Sequence, residues 1–133
     1  MEWFVYGTLT DPGTAASVLD SFSYRGSARL VGLHRVDGTY PTLAPGGEVD
    51  GRILETDEVA TLDHYEGVES GLYVRVSVPR APGCEEADGT VATYVGDPRE
   101  LDAPATWPGT GSFRQRVRAY VRAHEVSVTS ETA

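Results

Sequence analysis

The apolar and polar positions along the chain predict a protein built mainly of strands. The most regular alternation covers residues 72–78, where one face carries Leu72, Val74, Val76 and Val78. Stretches rich in β-branched and aromatic residues predict further strands over residues 3–6, 28–36, 49–56 and 89–95. Turns containing glycine and proline are predicted at 37–41 and 44–47. Short strands joined in this way favour a mostly antiparallel sheet.

Three helices are predicted from apolar residues that recur at three- and four-residue steps. They cover residues 13–22, residues 57–66 and a segment that begins at Thr110 or Ser112. Asp11 gives the first helix an N-cap, and Asp57 is expected to cap the second. Gly67 is expected to end the second helix, since glycine is the residue most often found just past a helix C-terminus.

The remaining segments set the boundaries of the domain. We expect a polar loop over residues 79–88, an irregular proline-rich stretch over 97–108, and a flexible, frayed tail over 126–133. At 133 residues the chain is long enough for one domain, here residues 1–125, but not for two. Strands with helices outside them indicate an α+β domain with one closed or nearly closed sheet.

A short turn follows the first strand and is a candidate anion site. Gly7, Thr8 and Leu9 lie between the apolar run that ends at Tyr6 and the helix start at Asp11. Successive backbone N–H groups in such a turn form a concave, positively polarised surface, and the glycine lets a ligand approach closely. The alternative is a plain connection between a strand and a helix.

Glu66 is the candidate catalytic residue. It precedes Gly67 in the last turn of its helix, where the negative end of the helix dipole disfavours a carboxylate. It also shares a helix face with Leu62, which directs it toward the core. Both effects raise the pKa of this carboxyl toward the range that a proton carrier needs near neutral pH. The alternative for an isolated glutamate is an ordinary solvated charge.

Four motifs follow one another along the chain: VYGTL at 5–9, GTYP at 38–41, LDHYEG at 62–67 and LYVRVSV at 72–78. In this order, from about Trp3 to about Tyr94, the chain resembles the γ-glutamylcyclotransferase-like (AIG2-like) family. The resemblance implies an α+β fold: a small mixed, mostly antiparallel β-barrel flanked by about three helices, with a pocket at the end of the first strand. It also implies that Glu66, in the Tyr-Glu-Gly motif, is the catalytic acid/base.

The resemblance further implies an enzyme of the transferase or lyase type. In a small γ-glutamyl substrate the α-amine attacks the γ-carbonyl of the same molecule, which yields 5-oxoproline and a free amine or amino acid. No metal or other cofactor is needed. The residues expected to bind the substrate are Tyr6, Gly7, Thr8, Leu9, Tyr40 and Tyr73. For Tyr40 and Tyr73 a purely structural role, as half-buried aromatic residues, stays open.

Two other functions stay open at this point. One is removal of a γ-glutamyl or related acyl group in a specialised biosynthetic or salvage pathway, marked by activity on a single unusual amine. The other is a non-catalytic module that binds a small molecule in the same pocket, marked by tight binding without turnover.

Composition limits the partners and the location. The formal net charge is −9, all eleven basic residues are Arg, and Lys and Asn are absent. This composition is typical of a GC-rich genome, and the acidity favours a salt-rich, halophilic cytoplasm. An acidic chain is a poor candidate for nucleic acid, because phosphate contacts need a cationic face. The first residues lack a basic region and no apolar run reaches membrane-spanning length, so we expect a cytoplasmic protein without membrane contact.

Histidine, cysteine and tryptophan residues give little indication of a metal site or of a further catalytic residue. The three histidines, His34, His64 and His124, do not have metal-ligand spacing, and Cys84 is a lone thiol expected at the surface. Trp107 is expected to pack locally rather than to form the lip of the pocket.

Arg114, Arg118 and Arg122 form a stripe along the last predicted helix. In so acidic a chain, pairing with its own carboxylates is the favoured explanation. The alternative is a docking face for an acidic partner or a second subunit. We expect a monomer or a weak homodimer.

Overall fold

The fold is a single curled sheet of six strands with helices packed against it. The computed structural model describes residues 1–81 and 89–130. The strands are β1 (Glu2–Val5), β2 (Ser23–Asp37), β3 (Pro41–Glu55), β4 (Tyr73–Pro79), β5 (Thr90–Gly96) and β6 (Ser127–Ser130). They lie in the order β4-β5-β1-β3-β2-β6 and curl into a half-barrel. Among these strands β1 and β5 are parallel and the other neighbours are antiparallel, so the predicted α+β class and mostly antiparallel barrel are confirmed.

The two outer strands approach each other at one end of the sheet. Arg80, just after β4, forms a bridge with Val128 of β6, and the Ala81 amide donates to the Val128 carbonyl at 2.9 Å. This contact brings the curled sheet close to closure at that end.

The long β2–β3 hairpin corrects one predicted turn. The expected turn at 44–47 lies inside β3, which begins at Pro41. Gly46 and Gly47 have φ values of 96° and 73°, and the register shifts opposite them, between Val31 and Leu33 of β2. The two glycines therefore form a bulge that bends β3 while pairing continues on both sides of it. Gly26 and Gly32 of β2 have φ values of 120° and 107°, and the register of the β2–β3 pairing shifts beside each of them.

Four α-helices and one 3-10 turn are present in the described residues. They are the 3-10 turn (Thr8–Thr10), α1 (Pro12–Val18), α2 (Val59–Tyr65), α3 (Pro98–Leu101) and α4 (Phe113–Ala123). The short α3 corrects the expectation of an irregular stretch over 97–108: Asp97 accepts a hydrogen bond from the Arg99 amide at 3.0 Å and caps it. No helix in residues 1–81 and 89–130 combines the length and apolar character needed to cross a bilayer.

The helix caps agree with the sequence at two places and differ at one. Asp11 accepts from the Thr14 amide at 2.9 Å, and Ser112 begins α4 through a reciprocal capping box with Gln115. The prediction for Asp57 is wrong, since its carboxylate lies 3.3 Å from the N-terminal ammonium. The residue before α2 is Glu58, and its carboxylate accepts from the backbone of the α1–β2 loop, at 2.8 Å from the Ser21 amide.

The C-terminal segment is a strand rather than the frayed tail predicted over 126–133. β6 pairs antiparallel with β2, and the side chains of Val126 and Val128 are buried in the core. The strand was not predicted because it is only four residues long and contains a single apolar residue, Val128, among small polar ones. Residues 131–133, and Cys84 with most of the predicted 79–88 loop, lie outside the described residues.

The core has two clusters, one on each face of the sheet. The cluster on the concave side includes Phe4, Val76 and, from α4, Val117. The other includes Trp3 and, from α2, Leu62. β1 contributes to both clusters, which explains its uninterrupted apolar run.

The contribution of β6 to stability is testable. Val128→Ala removes a side chain that is 1% exposed, and we expect it to lower the free energy of unfolding by roughly 1.5–3 kcal/mol. Val31→Ala on β2, beside β6 but 41% exposed, is the matched control, with an expected change below about 0.5 kcal/mol. Urea unfolding measures both. Equal, small effects of the two substitutions would show that β6 does not belong to the core.

Candidate active site

A cavity of about 320 Å³ opens where β1 ends. It lies between the 3-10 turn, the end of α2 and the start of β3. All the catalytic and substrate-binding residues predicted from the sequence line it: Tyr6, Gly7, Thr8, Leu9, Tyr40, Glu66 and Tyr73. Its lining also includes residues that the sequence did not nominate: Phe4, Val5, Pro41, Tyr65, Leu72 and Tyr94.

The turn after β1 lines this cavity with three residues whose backbone amides have no acceptor in the described part of the chain. The carbonyls of the turn already have donors: Gly7 O accepts from the Thr10 amide at 3.1 Å, and Leu9 O accepts from the Tyr24 hydroxyl at 2.6 Å. The amides of Gly7, Thr8 and Leu9 donate to no group within residues 1–81 and 89–130. They are therefore available to an anionic or developing negative oxygen of a ligand.

Glu66 reaches the cavity because α2 ends directly in front of it. Its amide continues the helical pattern by donating to Leu62 O at 2.9 Å, and Leu62 is fully buried against the sheet. The chain then turns sharply at Gly67, which has a φ of 70°, a conformation that favours glycine. The predicted placement of Glu66, in the last turn and on the face of Leu62, is confirmed.

Asp63 fixes α2 against the sheet, one turn before Glu66. Its two carboxylate oxygens accept from the Tyr94 hydroxyl and from the Arg75 guanidinium, both at 2.7 Å. Tyr94 lies on β5 and Arg75 on β4, so one side chain joins the helix to two strands. Sequence reasoning missed this role, because an aspartate inside a helix carries no mark of its tertiary partners.

Burial gives Glu66 the electrostatic character of a proton carrier. Removal of the carboxyl from water raises the pKa of Glu66 from 4.5 to about 7. Within the described part of the chain it is the one lining residue with a formal charge, so no arginine or histidine in the cavity offsets this shift. Near neutral pH such a group accepts and donates a proton with similar ease.

Three tyrosines form neutral walls around this carboxyl. Tyr6 donates its hydroxyl hydrogen bond to Tyr94 O, and Tyr73 donates to Pro41 O, each at 2.6 Å. Burial raises the pKa of the Tyr6, Tyr73 and Tyr94 hydroxyls, so all three stay protonated at neutral pH. Tyr73 thus packs and anchors the start of β3, whereas Tyr40 is 55% exposed at the rim of the cavity.

A hydrogen bond between Thr8 and Tyr65 connects the two sides of the site. The Thr8 hydroxyl lies 2.8 Å from the Tyr65 hydroxyl, between the 3-10 turn and the end of α2. The contact fixes the spacing between the amides and the helix end that carries Glu66. Tyr65 was not predicted to line the site. Its position next to Glu66 in the LDHYEG motif is the one feature of the sequence that indicates this role.

The other candidates lie away from the cavity. Trp107 is buried with its ring edge-on to Phe113 and Tyr120, so local packing is confirmed for it. Ser112 serves as a helix cap. No group of three or more His, Cys, Asp and Glu side chains that could hold a metal ion occurs in residues 1–81 and 89–130.

Comparisons with known proteins agree on one family. A sequence profile described as "Gamma-glutamyl cyclotransferase, AIG2-like" matches residues 3–115. Protein AIG2 C from Arabidopsis thaliana is 32% identical over 97 residues, which are 69% of this chain and 59% of that protein. AIG2-like protein C from the same plant is 38% identical over 76 residues, which are 51% of this chain and 44% of that protein. The chain therefore spans about half the length of these curated relatives.

Solved structures share the fold. One described as "Gamma-glutamyl cyclotransferase" superposes with a TM-score of 0.62 at 24% identity, over 73% of this chain and 66% of that one. A solution structure of an Arabidopsis thaliana protein gives a TM-score of 0.55 at 29% identity, over 93% and 75% of the two chains. The first of these, at its low identity, supports the architecture alone.

The raised pKa of Glu66 predicts a pH-dependent stability. The folded state holds this proton up to a pH of about 7, whereas an unfolded chain loses it near 4.5, so ionisation of Glu66 lowers the free energy of unfolding across that interval. We expect Glu66→Gln to be more stable than the wild type at pH 8, by on the order of 1–3 kcal/mol, with the difference vanishing below about pH 4.5. Urea unfolding at both pH values measures it. A difference that does not change with pH would contradict burial of the charge.

Proposed function

The chain belongs to the AIG2-like gamma-glutamyl cyclotransferase family, and from this membership we propose that it converts a small γ-glutamyl compound into 5-oxoproline and a free amine. One observation supports the proposal above the others. A half-buried carboxyl with a pKa of about 7 shares a small cavity with three backbone amides that have no acceptor in the described residues.

The cavity suits a small, compact substrate. Its volume of about 320 Å³ is at the lower end of the range of about 300–1,000 Å³ common for ligand sites. A γ-glutamyl group has an α-amine, an α-carboxylate and a γ-amide carbonyl. Cyclisation requires the α-amine to reach the γ-carbonyl carbon. A confined cavity with apolar and aromatic walls favours a folded chain over an extended one, which supplies the proximity that the reaction needs.

The first step forms a carbon–nitrogen bond. The ionised Glu66 carboxylate takes a proton from the substrate ammonium, and the freed amine attacks the γ-carbonyl carbon. The carbonyl oxygen becomes negatively charged in the tetrahedral intermediate. The amides at Gly7, Thr8 and Leu9 are the donors proposed to stabilise this oxygen.

The second step breaks the original amide bond. Glu66, now protonated, gives its proton to the departing nitrogen, and the carbonyl re-forms within the five-membered ring. The attacking nitrogen still carries one proton more than the lactam N–H, and this second proton passes through the Glu66 carboxylate to the released amine, which leaves as an ammonium ion. Both protons of the substrate ammonium that are lost thus end on the released amine, and Glu66 is regenerated in its ionised form without a cofactor or a covalent enzyme intermediate. A pKa near 7 suits both steps of the reaction. A much stronger acid would be too weak a base to take the proton in the first step, and a much weaker acid would not release it in the second.

The role of Glu66 is testable by substitution. We expect Glu66→Gln to lower kcat for 5-oxoproline formation by about 10²–10⁴-fold, the usual loss for a general acid–base group. Glu69→Gln, three residues away and exposed, is the matched control and should retain wild-type turnover. The assay follows 5-oxoproline from a panel of γ-glutamyl amino acids and γ-glutamyl amines. A folded Glu66→Gln protein with unchanged kcat would remove Glu66 from the mechanism, and tight 5-oxoproline binding without turnover on any substrate would indicate a binding module.

The pH dependence follows from the same carboxyl. The base form is the active one in the first step, so kcat/KM should rise with pH and level off above about 7. With a pKa of about 7, kcat/KM at pH 5.5 should be about 30-fold below its plateau. A profile that is flat between pH 5 and 8 would contradict proton transfer through Glu66.

A further inference from the structure

A second cavity, of about 1020 Å³, lies beside β4 and α4. We call it the arginine groove, because five of its lining residues are Arg75, Arg80, Arg114, Arg118 and Arg122. The whole chain has eleven basic residues and a net charge of −9, so almost half of its positive charge is gathered here. Asp63 and Glu125 also line the groove, so its arginines outnumber its carboxylates, whereas acidic residues outnumber arginines in the rest of the chain.

The arginines of the groove fall into two groups. Arg75 pairs with Asp63, and Arg80 pairs with Glu2. Those on α4, namely Arg114, Arg118 and Arg122, are exposed and form no ion pair or hydrogen bond with any group in residues 1–81 and 89–130. Pairing of this stripe with the chain's own carboxylates is therefore not found within residues 1–81 and 89–130, and the carboxylates of Glu85, Glu86, Asp88 and Glu131 lie outside these ranges.

The stability of α4 does not account for the stripe. Like charges four residues apart on one helix face destabilise an isolated helix, so three arginines in this spacing oppose helix formation slightly. α4 is held instead by its Ser112–Gln115 capping box and by the burial of Val117 and Val121. The positive charge therefore points to something outside the described chain.

We propose that the arginine groove binds an extended, acidic segment of a partner protein. Arginines at steps of four residues stand about 6 Å apart along a helix, since each residue adds 1.5 Å. Alternate side chains of an extended peptide are about 6.6 Å apart, so carboxylates at every second position match the three arginines. Guanidinium groups bind carboxylates through paired hydrogen bonds, which gives the contact its direction.

The composition of the groove favours a peptide over a bare polyanion. Val68 and Pro79 line it together with the arginines, and they offer apolar surface to the residues between the carboxylates. A long nucleic acid fits poorly, because its phosphates would extend beyond the groove over a chain that has 20 acidic residues. The proposal does not depend on the reaction at the first cavity.

The probe is a fluorescein-labelled peptide in which three glutamates alternate with valines, with a second peptide that has lysine in place of glutamate. Fluorescence anisotropy at low salt should show saturable binding of the acidic peptide, weakening as salt is added, and none of the lysine peptide. No saturable binding of the acidic peptide up to about 1 mM, the weak limit of a specific contact, would overturn the proposal.

Matched variants locate the binding. The triple variant Arg114→Gln/Arg118→Gln/Arg122→Gln should weaken peptide binding at least ~10-fold. The control triple variant Arg25→Gln/Arg29→Gln/Arg99→Gln removes the same charge outside the groove and should change binding less than about twofold. Circular dichroism checks that both variants fold. Arg118→Lys keeps the charge but loses the paired hydrogen bonds, and it should weaken binding less than Arg118→Gln does.

Three further outcomes would overturn the proposal. Equal weakening in the two triple variants would show a general charge effect. Tighter binding of inorganic polyphosphate or of a short single-stranded DNA than of the peptide would identify a different class of ligand. Dimerisation that the groove variant abolishes, without peptide binding, would assign the groove to a second copy of the chain.

Discussion

The anchoring of α2 by Asp63 is the constraint on which the candidate site depends. A helix of seven residues is too short to hold its own geometry, so its position comes from tertiary contacts. Asp63 binds one hydroxyl on β5 and one guanidinium on β4, and Leu62 beside it fills the core. These contacts fix the helix end three residues later, and with it the place of Glu66.

The chemistry of the site follows from that position. The sheet and the tyrosine walls leave Glu66 half-buried, and this partial loss of hydration raises the pKa of its carboxyl to about 7. Across the cavity, the turn after β1 has its carbonyls occupied and its amides available. The candidate proton carrier and the candidate oxyanion donors therefore line one small cavity, as the proposed closure of a γ-glutamyl chain requires.

Features that depend on a local sequence pattern could be predicted from the sequence, whereas features that depend on contacts between distant segments could not. The YGTL turn, Glu66 before Gly67 and the Ser112 cap could be predicted, because each depends on neighbours within a few residues. The bulge at Gly46 and Gly47 was predicted as a turn. Glycine pairs are common in turns and in bulges alike, and only the pairing with β2 on both sides shows that this one is a bulge. The roles of Asp63 and Tyr94 depend on residues about 30 positions apart, which no local pattern shows.

A direct measurement of the Glu66 carboxyl tests the account at its centre. With 13C-labelled glutamate, the carboxyl resonance of Glu66 is assigned by its loss in Glu66→Gln and followed through a pH titration. An inflection near pH 7 is expected, because the carboxyl is half-buried. A titration near 4.5, the ordinary value, would show that the carboxyl is hydrated and that the structure does not prepare it for proton transfer.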